Sequence, residues 1–152
     1  MASTKFSGLT ISEQPARMTV MHPIDLEPIL NRETGEECWI ELLPTQGAAG
    51  AIIDRQITDK ALRRRVQRLT AKDVESNAVD KLAQLTKAWK ICELDGTPIR
   101  AACTPENAAE LYGAVRWLRE QVATFAADLG NFQPTSSPIL SSSENTSSPS
   151  TS

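Results

Sequence analysis

The sequence contains few of the residues on which catalysis and metal binding usually depend. It has one histidine, His22, and three cysteines, Cys38, Cys92 and Cys103, with no C-x-x-C pair among its 152 residues. A lone histidine directly before a proline is more often structural than catalytic, and no second ligand stands beside it at metal-binding spacing. Neither a glycine-rich phosphate loop nor a Gly-x-Ser-x-Gly elbow is present. We therefore expect a protein that is not an enzyme and that holds neither a metal nor a cofactor.

Long apolar runs and export signals are also lacking. No stretch approaches the roughly 20 apolar residues that a membrane-spanning helix needs, and the first residues do not form a basic-then-apolar signal sequence. An odd number of cysteines disfavours a disulfide framework and fits a reducing compartment. The sequence thus predicts a soluble cytosolic protein with no membrane partner.

Charge is distributed unevenly along the chain. The formal net charge is −3, but residues 47–90 contain ten Lys or Arg against five Asp or Glu, and both flanks are acidic. The densest basic cluster is Arg63, Arg64, Arg65 and Arg68. Consecutive helical residues point about 100° apart, so these arginines do not make one flat face for a phosphate backbone. Solvated arginines that pair with Asp59 and Asp73 are the simpler interpretation, and docking of an acidic or amphipathic partner is the alternative.

The N-terminal half predicts a small antiparallel sheet. Residues 1–16 are polar and are expected to form a flexible arm. Alternation in residues 17–22 and the apolar run 38–43 predict two strands, and residues 31–36 between them predict a turn with Gly35 at positive φ.

Helical patterns follow in the middle of the chain. Residues 51–69 predict a helix in which Ile53, Ile57 and Ala61 share one side, while Ile52 and Leu62 lie elsewhere on the wheel. Thr70 and Asp73 resemble a capping box for a second helix, whose apolar stripe consists of Val74, Ala78, Leu82, Leu85 and Trp89. Whether residues 51–89 form one bent helix or two stays open at this point.

The strongest prediction in the chain is a long C-terminal helix. Asp95-Gly96 between apolar runs predicts a β-hairpin that delivers the chain to Thr104, an N-cap followed by Pro105 and Glu106. One apolar stripe then recurs at gaps of four and three, ending at Gly130; it consists of Leu111, Val115, Leu118, Val122, Phe125 and Leu129. Residues 133–152 contain 12 Ser or Thr and 3 Pro, a composition typical of a disordered tail.

These elements predict an α+β fold with a single domain at residues 17–132. It would comprise a small N-terminal antiparallel β portion, two central helices, a β-hairpin, a long C-terminal amphipathic helix and a disordered Ser/Thr-rich tail. On the wheel of the last helix, Tyr112 and Trp117 fall to either side of the stripe. They are either covered by a second layer of the domain or part of a partner-binding surface, with Arg116 and Arg119 as its polar rim.

Several segments together resemble the small tail assembly chaperones of long-tailed bacteriophages. The resemblance spans about His22 to Phe132 and is carried by three segments. The first is His22-Pro23 followed by residues 39–43, the second is residues 95–99 leading into residues 104–108 and then Leu111-Tyr112, and the third is residues 117–122 ending at Asn131-Phe132. Such proteins coat the long helical tape-measure protein and keep it soluble before the tail tube polymerises around it. The resemblance therefore implies a non-catalytic chaperone in the cytoplasm of the bacterial host.

The implied partner is the phage tape-measure protein, with the tail tube protein as a further possible contact. Many copies could act on one partner, or the chain could form a homo-oligomer, since weak contacts gain affinity through multivalency. Two other functions remain open from the sequence alone. One is a virion structural protein, such as a tail tube or head–tail joining component, and the other is a small DNA-binding regulator, which the acidic flanks disfavour.

Overall fold

A computed structural model describes residues 12–64 and 69–132. In chain order it contains strands β1 (Ala16–Thr19) and β2 (Trp39–Leu42), helices α1 (Ala48–Arg63) and α2 (Ala71–Leu85), strand β3 (Thr86–Lys90), helices α3 (Pro105–Ala114) and α4 (Arg116–Ala127), and a 3-10 turn (Leu129–Phe132). The three strands form one antiparallel sheet in the order β1-β2-β3. The predicted α+β class is confirmed.

The sheet has one apolar and one polar face, as alternation along its strands requires. Ile40 and Leu42 of β2 point into the core and are fully buried, and Met18 lies opposite Ile40 in the register. On the outer face, Arg17 donates to the Glu41 carboxylate at 2.8 Å, and its guanidinium lies 3.7 Å from the centre of the Trp39 ring.

The connection between β1 and β2 is anchored by backbone hydrogen bonds among three buried residues. The Val20 N–H donates to the Cys38 carbonyl, Ile29 to Val20, and Cys38 to Ile29, at 2.9–3.1 Å. The predicted turn at residues 31–36 is present, and Gly35 has the expected positive φ of 76°. Residues 12–16, which were predicted as part of an arm, contact the domain: Ser12 donates to the Phe132 carbonyl, and Glu13 accepts from the Ala48 N–H at the start of α1.

The central segment forms two helices in the described residues. α1 ends at Arg63, and α2 begins after Thr70, whose side chain forms the predicted capping box with Asp73. Ile53 of α1 is buried, whereas Ile52 and Leu62 are exposed, so α1 packs by one side. The predicted stripe of α2 is wrong at its start, because Val74 and Ala78 are exposed. The buried residues of this helix are Val79, Leu82, Ala83 and Leu85.

Trp89 does not continue α2, because the chain changes from helix to strand directly after Leu85. Thr86 has extended backbone angles, and its hydroxyl donates to the Leu82 carbonyl at 2.8 Å, which closes the last turn of the helix. The residues that follow pair with β2, with Trp89 opposite Ile40. The sequence pattern missed this junction because Leu85 and Trp89 are also four residues apart on a helix.

The predicted long C-terminal helix is wrong: the segment forms two helices that meet at Val115. Val115 has φ −115° and ψ 89°, so it ends α3 and begins α4, although its N–H still bonds Leu111 and its carbonyl still accepts from Arg119. Gly113, a poor helix former, and the β-branched Val115 lower the helix propensity at this point. Tyr112 of α3 lies inside the core, and Leu129, beyond the end of α4, is partly exposed. α4 ends at Ala127, before the predicted Gly130.

The core lies between the inner face of the sheet and helices α2, α3 and α4. Its α3 and α4 members are Ala108, Tyr112, Leu118, Val122 and Ala126, all buried. The Gln121 side chain ties α4 to the β1–β2 connection, because it accepts from the Met21 N–H at 3.1 Å and donates to the Met21 carbonyl at 2.7 Å. The predicted Ser/Thr-rich tail lies outside the described residues.

Candidate functional site: the hairpin groove

The predicted hairpin after β3 is present and is closed by a tight turn. The Glu93 N–H donates to the Thr97 carbonyl at 2.8 Å, and Ile99 donates to Ile91 at 2.9 Å. At the tip, the Asp95 side chain accepts from the Thr97 N–H at 2.9 Å, and this bond lowers the pKa of the Asp95 carboxyl. Gly96 has φ +92°, in the left-handed region that favours glycine.

The hairpin is fixed against its neighbours at two points. The Gly96 carbonyl accepts from the Arg32 N–H at 2.9 Å, which joins it to the residue 31–36 turn. The Trp89 indole N–H donates to the Ala101 carbonyl at 2.9 Å, which holds the chain close to β3 as it approaches α3. The hairpin therefore forms a fixed wall beside α3 and the start of α4.

Replacing Gly96 tests how tightly this wall is held. A Cβ at Gly96 would lie 2.6 Å from the Leu30 carbonyl oxygen, whereas a Cβ at Gly35, also at positive φ, would meet no atom within 4 Å. Gly35→Ala should lower the free energy of unfolding by about 1–2 kcal/mol through backbone strain alone. Gly96→Ala should cost about 1–3 kcal/mol more, because the two backbone segments must separate. Urea unfolding measures both, and equal costs would show that the hairpin is not held at this contact.

Between the hairpin and the two helices lie two apolar cavities, of about 260 Å³ and 300 Å³. Ile91, Ile99, Leu111 and Val115 line both of them, so the two cavities are adjacent, and we name them together the hairpin groove. The smaller part is completed by Trp89, Ala101, Asn107, Glu110 and Ala114, and the larger by Val20, Cys92, Glu93, Leu94, Trp117 and Leu118. An apolar concavity with a few polar groups at its margin is the usual form of a binding site.

The predicted partner-binding residues of the last two helices lie in four different environments. Trp117 lines the hairpin groove and is half-buried. Arg116 is exposed and pairs with Glu120 at 3.3 Å. Arg119 does not form a rim with Trp117, because its side chain is only 14% exposed and donates to Glu75 of α2 at 2.9 Å. Tyr112 has no exposed surface, so it is a core residue and not part of a contact surface.

Burial raises the pKa of the Tyr112 phenol, so its hydroxyl stays protonated. The Thr86 hydroxyl hydrogen is used on the Leu82 carbonyl, and the Tyr112 O–H therefore donates to the Thr86 oxygen at 2.7 Å. Tyr112 thus joins α3 to the α2–β3 junction.

The basic cluster lies elsewhere, at a cleft between α1 and α2 of about 540 Å³. Arg63 and Arg64 are exposed and line this cleft, opposite Asp73 and Asp80 of α2. The pKa of Asp73 is lowered mainly by its capping bonds to Thr70, with a smaller contribution from Arg64. These positions agree with solvated arginines near acidic partners. Arg65 and Arg68, the other two members of the cluster, lie outside the described residues.

His22 and Cys38 make contacts within the fold that do not form a catalytic arrangement. His22 Nδ1 accepts from the backbone N–H groups of Ile24 at 3.1 Å and Asp25 at 3.3 Å, which stabilises a turn. Burial, with the neighbouring Cys92, raises the pKa of the Cys38 thiol to about 12. Within residues 12–64 and 69–132, no group of three or more His, Cys, Asp or Glu could hold a metal ion. Among the helices of this same part of the chain, none is long and apolar enough to cross a membrane.

The groove itself was not predicted from the sequence, apart from Trp117. Leu111 and Val115 were assigned to a buried stripe, and Trp89 to a helix. One signal could have identified the site: the hairpin and the Thr104 N-cap are separated by only a few residues, and such a short connection places the hairpin beside the helix.

No family model matches the chain, and no curated protein and no solved structure is significantly similar to it. Function must therefore be inferred from the geometry of the molecule itself.

Proposed function

We propose that this protein is a non-catalytic phage tail assembly chaperone that binds the tape-measure protein and keeps it soluble before the tail tube polymerises. The observation that carries the proposal is the hairpin groove, an apolar depression built from rigid elements and bordered by Trp89 and Trp117. A client helix that places its apolar face in such a groove is a common mode of peptide recognition. The resemblance of residues 22–132 to tail assembly chaperones supplies the identity of the client.

The location of the groove suits reversible binding of a client protein. It lies on one side of the domain, and its lining side chains Leu111, Val115 and Trp117 are only partly buried. A client gains contact there without any change in the core residues beneath. Each contact is small, and binding of many copies along one long client would supply the total affinity. We expect this protein to bind its client in the cytoplasm of the bacterial host, before the particle is complete.

Co-expression with the tape-measure protein of the same phage tests the proposal. The tape-measure protein alone should be recovered mainly in the insoluble fraction, and it should become soluble and co-purify when this protein is present. Absence of both rescue and co-purification would contradict the proposal. Mass spectrometry of purified particles gives a second readout, because a chaperone should be largely absent from them, whereas a virion structural protein should be present in fixed copy number.

A further inference from the structure

The charged residues that line the hairpin groove are both acidic. Glu110 belongs to the smaller cavity and Glu93 to the larger one, so each part of the groove carries one carboxylate at its margin. Both side chains are exposed. Since the remaining lining residues are uncharged, these two glutamates are the formal charges of the lining that an incoming segment meets.

Three of the cations nearest in sequence do not neutralise this margin, and a fourth, Lys87 of β3, lies near Cys103 at the approach to α3. Arg100 is paired with Glu33 at 3.0 Å and Arg116 with Glu120 at 3.3 Å. Lys90 adjoins Trp89 in β3, and successive strand residues point to opposite faces, so it projects away from the face that Trp89 supplies to the groove. Glu106 lies one helical turn before Glu110 in α3 and adds a further acidic residue near the groove.

We propose that the hairpin groove selects cationic amphipathic segments: two apolar anchor side chains enter its two cavities, and flanking Lys or Arg residues of the client meet Glu93 and Glu110. This inference rests on the proposed function and specifies the chemistry of the client segment. The apolar lining supplies affinity for any amphipathic segment of the right shape, whereas the two carboxylates discriminate between segments by charge. A segment with the same apolar face but acidic flanks is disfavoured because like charges would face each other at both ends.

Two fluorescent peptides test the selection. Both would form the same amphipathic helix with an identical apolar face, one with lysines and the other with glutamates at the flanking positions. Fluorescence anisotropy with the full-length protein at low salt should give a Kd for the lysine peptide that is roughly tenfold lower, as expected for two partly exposed charge pairs. The ratio should fall towards one at high salt, because salt screens exposed charges.

Variants of Glu93 and Glu110 test whether these two residues cause the preference for the lysine peptide. Glu93→Gln combined with Glu110→Gln should reduce the ratio of the two Kd values several-fold at low salt. The matched control, Glu27→Gln combined with Glu36→Gln, removes the same total charge at positions that do not line the groove, and it should retain most of the ratio. Equal binding of the two peptides, or a ratio unchanged in the Glu93/Glu110 double variant, would overturn the inference and leave the proposed function standing. If neither peptide binds at any salt concentration, the groove is not a site for amphipathic helices, and both proposals fall.

Discussion

Tyr112→Ala is expected to lower the free energy of unfolding by about 3–5 kcal/mol, the usual cost of removing a large buried aromatic side chain. Tyr112 is fully buried between α2, α3 and the sheet, and its loss would leave a cavity and also remove a hydrogen bond to Thr86. Chemical denaturation of the purified variant measures the change. A cost below about 1 kcal/mol, typical of surface positions, would place Tyr112 outside the core.

Tyr112→Phe separates the hydrogen bond from the packing. The ring remains, and the Thr86 hydroxyl keeps its bond to the Leu82 carbonyl, so only the Tyr112 O–H contact is lost. We expect a cost of about 0.5–1.5 kcal/mol. This variant should fold even if the alanine variant does not, and it therefore keeps the assignment of Tyr112 testable. A cost equal to that of Tyr112→Ala would mean that the cavity contributes nothing, contrary to the observed packing.

Ala114→Gln is expected to weaken client binding by at least about tenfold without unfolding the protein, because it places a polar amide at an apolar contact. Ala114 is the last residue of α3, is exposed, and lines the smaller cavity of the groove. The substitution changes no charge, so its effect is independent of the selection by Glu93 and Glu110. Binding is measured with the tape-measure protein or with the lysine peptide.

Ala123→Gln is the matched control for this variant. Ala123 is also exposed and helical, but it lies in α4 and does not line the groove. Glutamine is a good helix former, so both variants should unfold within about 0.5 kcal/mol of the parent protein. Equal binding by the two variants would show that the client does not occupy the groove.

The elements that the sequence predicted well are those determined by neighbouring residues. The N-cap at Thr104 is one example, because it depends only on the residues that follow it. Its hydroxyl accepts from the Asn107 N–H at 3.1 Å, as the Thr-Pro-Glu pattern indicates. The Thr70–Asp73 capping box and the positive φ of Gly35 were predicted for the same reason. Each depends on hydrogen bonds or sterics within a few residues.

The predictions that failed concern the positions at which helices end. Val115 interrupts the last helix at a point where the apolar pattern is regular. Leu111 before it and Leu118 after it are seven residues apart, which is the spacing of a continuous helix. Periodicity alone cannot distinguish one straight helix from two helices in phase. The wheel places Tyr112 beside the stripe, which left a covered position and a partner-binding position open, and its burial decides for the covered one.

The groove could be predicted only in part, because it is formed by residues from distant segments. Val20, Ile91 and Leu111 meet at one surface only after the sheet and α3 have packed together. Trp117 was identified because aromatic residues off an apolar stripe are informative in themselves. Glu93 and Glu110 resemble any other surface glutamates in the sequence, and only their position at the groove distinguishes them.

Site-directed photocrosslinking in cells that co-express the tape-measure protein tests the central claim most directly. A photoreactive phenylalanine analogue at Ala101, an exposed residue that lines the hairpin groove, should crosslink to the tape-measure protein, and the same analogue at Ala123 should not. A crosslink from Ala123 alone, or no crosslink from Ala101 while the tape-measure protein is still kept soluble, would contradict binding at the groove.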